Sequence, residues 1–359
     1  MAILLERLNQ RFRVAAEDGD LAEMRRQIKA GAEFNCVNDG GQNALHLAAW
    51  NGHLDAVKFL VKKGMKVSSR DKNGRSPLHC AAMDGHLPMV KFLARAGVKI
   101  DAADKEGMRP LLLAAAGGSL SVVSFLLANG AKPDTPDKSG VRPLHWAAET
   151  GKLPVVELLV DAGASVHAGN GEGWQPLHFA ASENHVPVAA YLLRKGARVD
   201  AENGEGWQPL HVAADVAGLP LVKLLVEAGA QVDAAGKKGR QPLYLAADSG
   251  ELSVVEFLLR KGARVDAADD EGLQPLHAAA MEDHLPVVKF LLEMGADAGA
   301  KQKDGQTALD LAVQKKKRKV PEFLREWMSP ESVFKRQEGM MRDHWRRMKR
   351  YAPKPGPRL

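Results

Sequence analysis

The chain has 359 residues, of which 45% are hydrophobic, 26% charged and only 5% aromatic; this sustains a packed core, excludes wholesale disorder, and suits small, closely approaching helices better than β-sandwiches. No apolar run reaches about 18 residues, which excludes an ordinary membrane-spanning helix, and two cysteines without an Asn-x-Ser/Thr site exclude a disulfide scaffold or cysteine zinc cluster and favour an intracellular setting. The net charge of +6 is uneven: residues 311–359 carry 15 Lys and Arg against 5 Asp and Glu, a balance of +10, which leaves −4 on the rest.

From the N-terminus, Met1-Ala-Ile-Leu-Leu-Glu-Arg-Leu lacks the basic-then-apolar order of a secretory signal. Residues 1–40 read as an N-terminal cap. Ala15-Ala16, Gly19 and Gly31 stand 33 residues before Ala48-Ala49, Gly52 and Gly64. Glu23, Arg25, Arg26 and Lys29 give this cap the polar outer helix that the end of a stack requires.

Residues 41–303 are periodic. Glycine recurs every 33 residues from Gly41 to Gly305 without an insertion; leucine follows four positions later, from Leu45 to Leu309, and alanine three further on, from Ala48 to Ala312. Asp-x-x-Gly predicts a tight turn. Pro-Leu-His-x-Ala-Ala predicts a short first helix, with proline tolerated in its first turn. A second helix starts near Pro88, Pro154, Pro187, Pro220 and Pro286, and its Val-Val-x-x-Leu-Leu pattern supplies an apolar stripe.

The pattern resembles the ankyrin repeat, whose Thr-Pro-Leu-His core stands here as Ser76-Pro-Leu-His79, Arg142-Pro-Leu-His145, Gln175-Pro-Leu-His178, Gln208-Pro-Leu-His211 and Gln274-Pro-Leu-His277. The resemblance covers residues 8–328. It implies an all-α repeat solenoid of ten units, each pairing two antiparallel helices with a β-hairpin finger, and a concave face that binds proteins. Leu112, Tyr244 and Asp310 replace the histidine, which puts the local hydrogen bonds of those units in question.

Residues 304–328 read as a C-terminal cap, in which Gln314 to Lys319 replaces the inter-helix turn and Pro321 disturbs the second helix. Residues 329–359 read as a basic amphipathic helix and flexible end. Phe334, Met341, Trp345 and Met348 fall on one helical face among Arg342, Arg346, Arg347, Lys349 and Arg350. Such a helix takes an acidic partner or a membrane surface, or folds back over the end of the stack. A second, shorter resemblance joins Val333-Phe-Lys-Arg-Gln and Trp345 to Tyr351 to the linker that follows the repeats in ankyrin-and-death-domain adaptors.

No catalytic constellation is present, and neither a cofactor nor a metal is expected. The in-register histidines lie about 10 Å apart, one helix-packing distance, too far to share an ion with bonds of about 2 Å; they are expected to bond to neighbouring turns. Gly169-Asn-Gly171-Glu-Gly173 is the inter-repeat turn, copied at Asn203–Gly206, not a phosphate loop. Cys36 and Cys80 read as packing residues.

The informative residues are those the framework does not demand. Met108, Val141, Trp174 and Trp207 follow the turn glycine on successive fingers, flanked by Arg75, Arg109 and Arg142. Trp50 and Met83 follow the Ala-Ala pair on the face implied to be concave, and Trp146 and Phe179 replace smaller residues within the first helix. Trp and Arg dominate binding hot spots, so these positions are expected to hold a partner protein. The alternative is that the tryptophans stack on neighbouring fingers.

Lys315, Lys316, Lys317, Arg318 and Lys319 form an unbroken cationic run. It resembles a short nuclear import signal to be read by an import receptor; the alternative is a solvated cap. The expectation is a monomeric, non-enzymatic adaptor in the cytoplasm, with nuclear entry if the run is read. The competing class is a nuclear protein whose tail contacts nucleic-acid phosphates, which the acidic body disfavours.

Overall fold

The computed structural model describes residues 2–216, 218–334 and 336, leaving out the side chain of Ala2. The basic amphipathic face predicted at Met341, Trp345 and Met348, and the likeness around Trp345 to Tyr351, lie outside them.

The chain divides into two compact units. The first, residues 1–212 and 224–230, opens with α1 (Ala2–Glu17) and α2 (Leu21–Lys29). Helix pairs follow at α3 (Ala44–Trp50) and α4 (Leu54–Lys62), α5 (Pro77–Met83) and α6 (Leu87–Arg95), α7 (Pro110–Ala116) and α8 (Leu120–Ala128), α9 (Pro143–Glu149) and α10 (Leu153–Asp161), and α11 (Pro176–Ser182) and α12 (Val186–Arg194). The unit boundary passes through α13 (Pro209–Asp215) and α14 (Leu219–Glu227). The second unit, residues 213–223 and 231–359, contains α15 (Pro242–Asp248), α16 (Leu252–Arg260), α17 (Pro275–Met281), α18 (Leu285–Glu293), α19 (Ala308–Gln314) and α20 (Lys319–Trp327).

The central units obey one local logic. Proline opens the first helix, where its missing N–H is not needed. The alanine pair lies at the contact between successive first helices and is fully buried, as at Ala147 and Ala148. A glycine of positive φ then turns the chain. At Gly151, with φ of 69°, a Cβ would stand 2.5 Å from the His185 ring, so both the backbone and the neighbour require glycine. The second helix buries its Val-Val-x-x-Leu stripe, as at Val155, Val156 and Leu159. Each such side chain contributes about 1.5–3 kcal/mol by leaving water.

The fingers are simpler than β-hairpins. Among the described residues no strand forms, and isolated bridges occur at Val37–Asn43 and Lys301–Thr307. An Asp or Asn side-chain oxygen closes most of the turns: Asp71 accepts from the N–H groups of Asn73 (2.9 Å) and Arg75 (2.8 Å), and Asn170 from those of Glu172 (3.0 Å) and Trp174 (2.9 Å). The arms are too short to extend a ladder. Successive fingers are joined by one backbone bond, from Lys72 N–H to Gly40 O (2.9 Å), Lys105 to Asn73 (2.8 Å) and Lys138 to Glu106 (2.9 Å).

Second helices carry a connector of their own. Arg25 lies over the Phe59 ring at 5.4 Å and Lys91 over Phe125 at 6.0 Å; in the second unit Lys223 lies over Phe257 at 5.9 Å and Lys289 over Phe323 at 5.2 Å. Each cation reaches the aromatic residue one repeat and one position ahead, a favourable cation–π contact.

Both ends depart from the expectation. The first helix of the N-terminal cap extends back to Ala2 and runs for 16 residues, with Phe12 fully buried near Phe34. At the other end Pro321 does not disturb the second helix. It is buried in the first turn of α20, where the helix has no internal partner for its nitrogen.

Candidate functional site

The histidines are joints. In the histidine-bearing units the imidazole Nδ1 accepts from the N–H of the residue before the helix: Ser76 to His79 (3.0 Å), Arg142 to His145 (2.9 Å) and Gln175 to His178 (3.2 Å). Nε2–H then donates to the following turn, His79 to Ala102 O (2.9 Å), His145 to Ala168 O (2.8 Å) and His178 to Trp207 O (3.0 Å). Burial pushes the pKa of His79 and of His145 down to about 4, keeping the rings neutral. Asp310 replaces this joint within its own unit by accepting from Thr307 N–H at 2.9 Å. Tyr244 is instead buried beneath Arg240, 4.9 Å from its ring, and burial raises its pKa to about 12.

A second set of histidine joints escaped the sequence reading. His86 donates to Trp50 O (2.8 Å), His185 to Glu149 O (2.8 Å) and His284 to Asp248 O (2.9 Å). Its only sequence signal was register: His86, His185 and His284 stand at the same repeat position, just before a second helix. Among the described residues no group of three His, Cys, Asp or Glu is placed to hold a metal ion. Cys36 and Cys80 are buried, and burial raises the Cys80 pKa to about 12, so its thiol is held protonated.

The finger residues Met108, Val141, Trp174 and Trp207 are all half-buried. Both tryptophans pack within their own units. Trp174 lies 5.7 Å from His178 and edge-on to Phe179 at 5.8 Å; Trp207 stacks on His211 at 6.4 Å. Each indole covers the joint of its own unit, not a neighbouring finger.

The flanking arginines are also engaged. Arg75 pairs with buried Asp104 (3.1 Å), the carboxylate that closes the next turn. Arg109 pairs with Asp101 (3.3 Å), and Arg142 donates to Gly140 O (3.1 Å) and Gly169 O (2.9 Å) and pairs with Asp134 at 3.6 Å. Arg75 and Arg142 thus clamp successive fingers, and Arg109 braces its own, before any partner arrives.

Trp50 and Met83 end α3 and α5, and Trp146 and Phe179 lie within α9 and α11; all four are half-exposed. Phe179 packs on His145 at 5.1 Å, leaving an edge uncovered. Glu149 ends α9, and burial followed by the charge of Glu183 raises its pKa. In the second unit, burial and Asp248 raise the pKa of Asp215, while burial and Glu282 raise that of Asp248. The sequence places these carboxylates at the position after the Ala-Ala pair; their partial burial and mutual repulsion arise only on folding.

The basic run forms a folded turn. Lys315 caps α19, Lys316 has φ of 57°, Lys317 N–H donates to Ala312 O (3.0 Å), and Lys319 begins α20. Lys317 pairs with Glu282 at 3.1 Å, and Asp283 accepts from Val320 N–H at 2.8 Å. The cations are exposed, apart from half-buried Lys317, but the backbone is not extended as an import receptor requires.

The comparisons agree with this geometry. A family profile described as ankyrin repeats, three copies, matches residues 12–104, 96–170, 163–235, 198–269, 213–302 and 243–331. A search of curated proteins finds no match. Proteins built of such repeats are generally protein-binding modules without catalysis, and the paired helices are those of an all-α repeat solenoid. With the profile matched from residue 12 to residue 331, the chain belongs to the ankyrin-repeat family.

Proposed function

We propose that the chain is a non-enzymatic adaptor that holds another protein against the first helices and fingertips of its first unit. The observation that carries this reading is the group Trp50, Met83, Trp146 and Phe179. All four are large and half-exposed; Trp50 and Met83 stand where several other units carry Ala116, Ser182 or a carboxylate, and Trp146 and Phe179 where several others carry Leu113, Val212 or Ala278. Large, partly covered aromatic groups are efficient anchors once a partner completes their desolvation. Glu149 beside them, disfavoured as an anion, gains from a partner's lysine or arginine. The partner is therefore a segment with apolar anchors and at least one cation.

The test is capture by the immobilised full-length chain, compared with Trp50→Ala/Met83→Ala and Glu149→Gln variants. The double variant loses the main captured protein while its melting temperature stays close to that of the parent. Undiminished capture by both variants overturns the reading. A captured species that is nucleic acid, lost when Arg346 and Arg347 become alanine, would put the phosphate-binding alternative first.

A further inference from the structure

We infer that the second helices of the first three repeats form a docking surface for an anionic phospholipid bilayer. This surface is separate from the first-helix residues assigned to the partner protein. Within residues 20–34, 53–67 and 86–100 there are ten Lys and Arg against four Asp and Glu. Among the described residues this layer has two internal ion pairs, Arg26 with Glu23 and Lys58 with Asp55.

The cations lie in register. Arg25, Lys58 and Lys91 form one row across α2, α4 and α6; Lys29, Lys62 and Arg95 form a second, four residues further on; Lys66 and Lys99 begin a third. All eight are exposed. Rows are about 6 Å apart along each helix, and columns about 10 Å apart between helices. Between the first two helices, Arg25, Ile28, Lys29, Phe59 and Lys63 line a depression of about 250 Å³, large enough for a phosphate headgroup.

Helix dipoles explain part of this charge, because Lys29, Lys62 and Arg95 lie in last turns. They do not explain Lys58 in mid-helix, or Lys66 and Lys99 beyond the helix ends, while Arg25 and Lys91 keep exposed charges although they also lie over Phe59 and Phe125. Nor does the repeat demand it. The corresponding segment 119–133 has one cation, Lys132, and segment 152–166 has Lys152 against Glu157 and Asp161.

The arrangement selects its occupant. A nucleic-acid backbone or an acidic peptide presents charge along a line, which engages one row. A two-dimensional grid matches a two-dimensional array of phosphates, where each nearby cation adds an increment of attraction. The grid supplies only surface electrostatics, so binding is peripheral and weakens with salt.

The experiment is co-sedimentation of the full-length protein with vesicles of phosphatidylcholine alone or with added phosphatidylserine. Arms are the parent, Lys62→Glu/Arg95→Glu/Lys99→Glu, and Arg346→Ala/Arg347→Ala in the tail. The parent partitions onto phosphatidylserine vesicles, and the grid variant does so at least tenfold less with an unchanged melting curve. The tail variant stays closer to the parent than the grid variant does. Equal binding by parent and grid variant overturns the proposal, as does equal binding to both vesicle types. So does a short DNA duplex that binds the parent more tightly than the vesicles do and is lost in the same grid variant.

Discussion

The Lys317 ammonium stands 3.1 Å from the carboxylate of Glu282, thirty-five residues earlier in the chain. With Asp283 holding the N–H of Val320, this pair folds the basic run onto the preceding repeat. An extended reading of the run by an import receptor first has to break these contacts. Asp283 has φ of 64°, so glycine at that position removes the carboxylate without backbone strain. The Glu282→Gln/Asp283→Gly double variant is expected to raise the nuclear share of a large fluorescent fusion. Lys316→Ala/Lys317→Ala/Arg318→Ala is expected to lower it. If imaging shows no movement in either direction, the run serves as a cap.

Leu177 is fully buried in a central first helix. Its replacement by alanine removes apolar contacts and leaves a cavity, so Leu177→Ala is expected to cost about 2–5 kcal/mol. Urea unfolding measures this. A loss below about 1 kcal/mol would show that the leucine is outside the core.

Gly117 follows α7 with an ordinary helical φ of −70°, so its need for glycine is spatial. A Cβ there would lie 2.1 Å from Met83 O, a backbone atom that cannot rotate away. Gly117→Ala is expected to cost about 1–3 kcal/mol through this overlap. Unchanged thermal stability would mean that the two repeats separate without penalty.

The tryptophans at the fingertips now carry a structural expectation. Trp174→Ala loses its contacts with His178 and Phe179, and about 1–3 kcal/mol of stability with them. Trp50 ends its helix away from such a cluster, so Trp50→Ala is expected to affect capture more than melting. Calorimetry beside the capture assay distinguishes a covering role from a binding one.

Acid should loosen the stack before it protonates most carboxylates. His79 and His145 have folded pKa values of about 4 against 6.5 for the free side chain. The unfolded chain therefore binds more protons, and stability present above pH 6.5 falls as pH drops toward 4. Each ring accounts for about 3 kcal/mol across that window, at about 1.4 kcal/mol per pH unit. Urea midpoints measured between pH 7 and pH 4 are expected to fall steeply, and His145→Asn is expected to flatten the slope by about one proton. A pH-independent midpoint would contradict the burial of these rings.

The repeat was readable because its punctuation is chemical. Proline, glycine and the alanine pair have few substitutes at their positions, so a 33-residue period survives changes elsewhere. Pro321 was misread because a proline's effect depends on its place in the turn, and the start of α20 was hidden by the basic run. The arginines beside the fingers looked free because their partners Asp104, Asp101 and Asp134 belong to turns that meet them only on folding. The second-helix connector was present in the letters, as a cation followed 34 residues later by an aromatic residue. That offset differs from the repeat period by one, and a search for the period alone passes over it.

The two-ended histidine joint also bears on how such a chain can change in length. One nitrogen is satisfied inside the unit and the other by a backbone carbonyl, which every amino acid possesses. The coupling is therefore generic: any unit with this histidine can follow or precede any other. Loss or gain of a whole 33-residue segment re-forms the same bonds with new neighbours. A single-residue insertion between a histidine and its acceptor turn has no such remedy. The identical stretches Asn170–His178 and Asn203–His211 are what an architecture of interchangeable couplings permits, growth by copying with surface chemistry left to diverge afterwards.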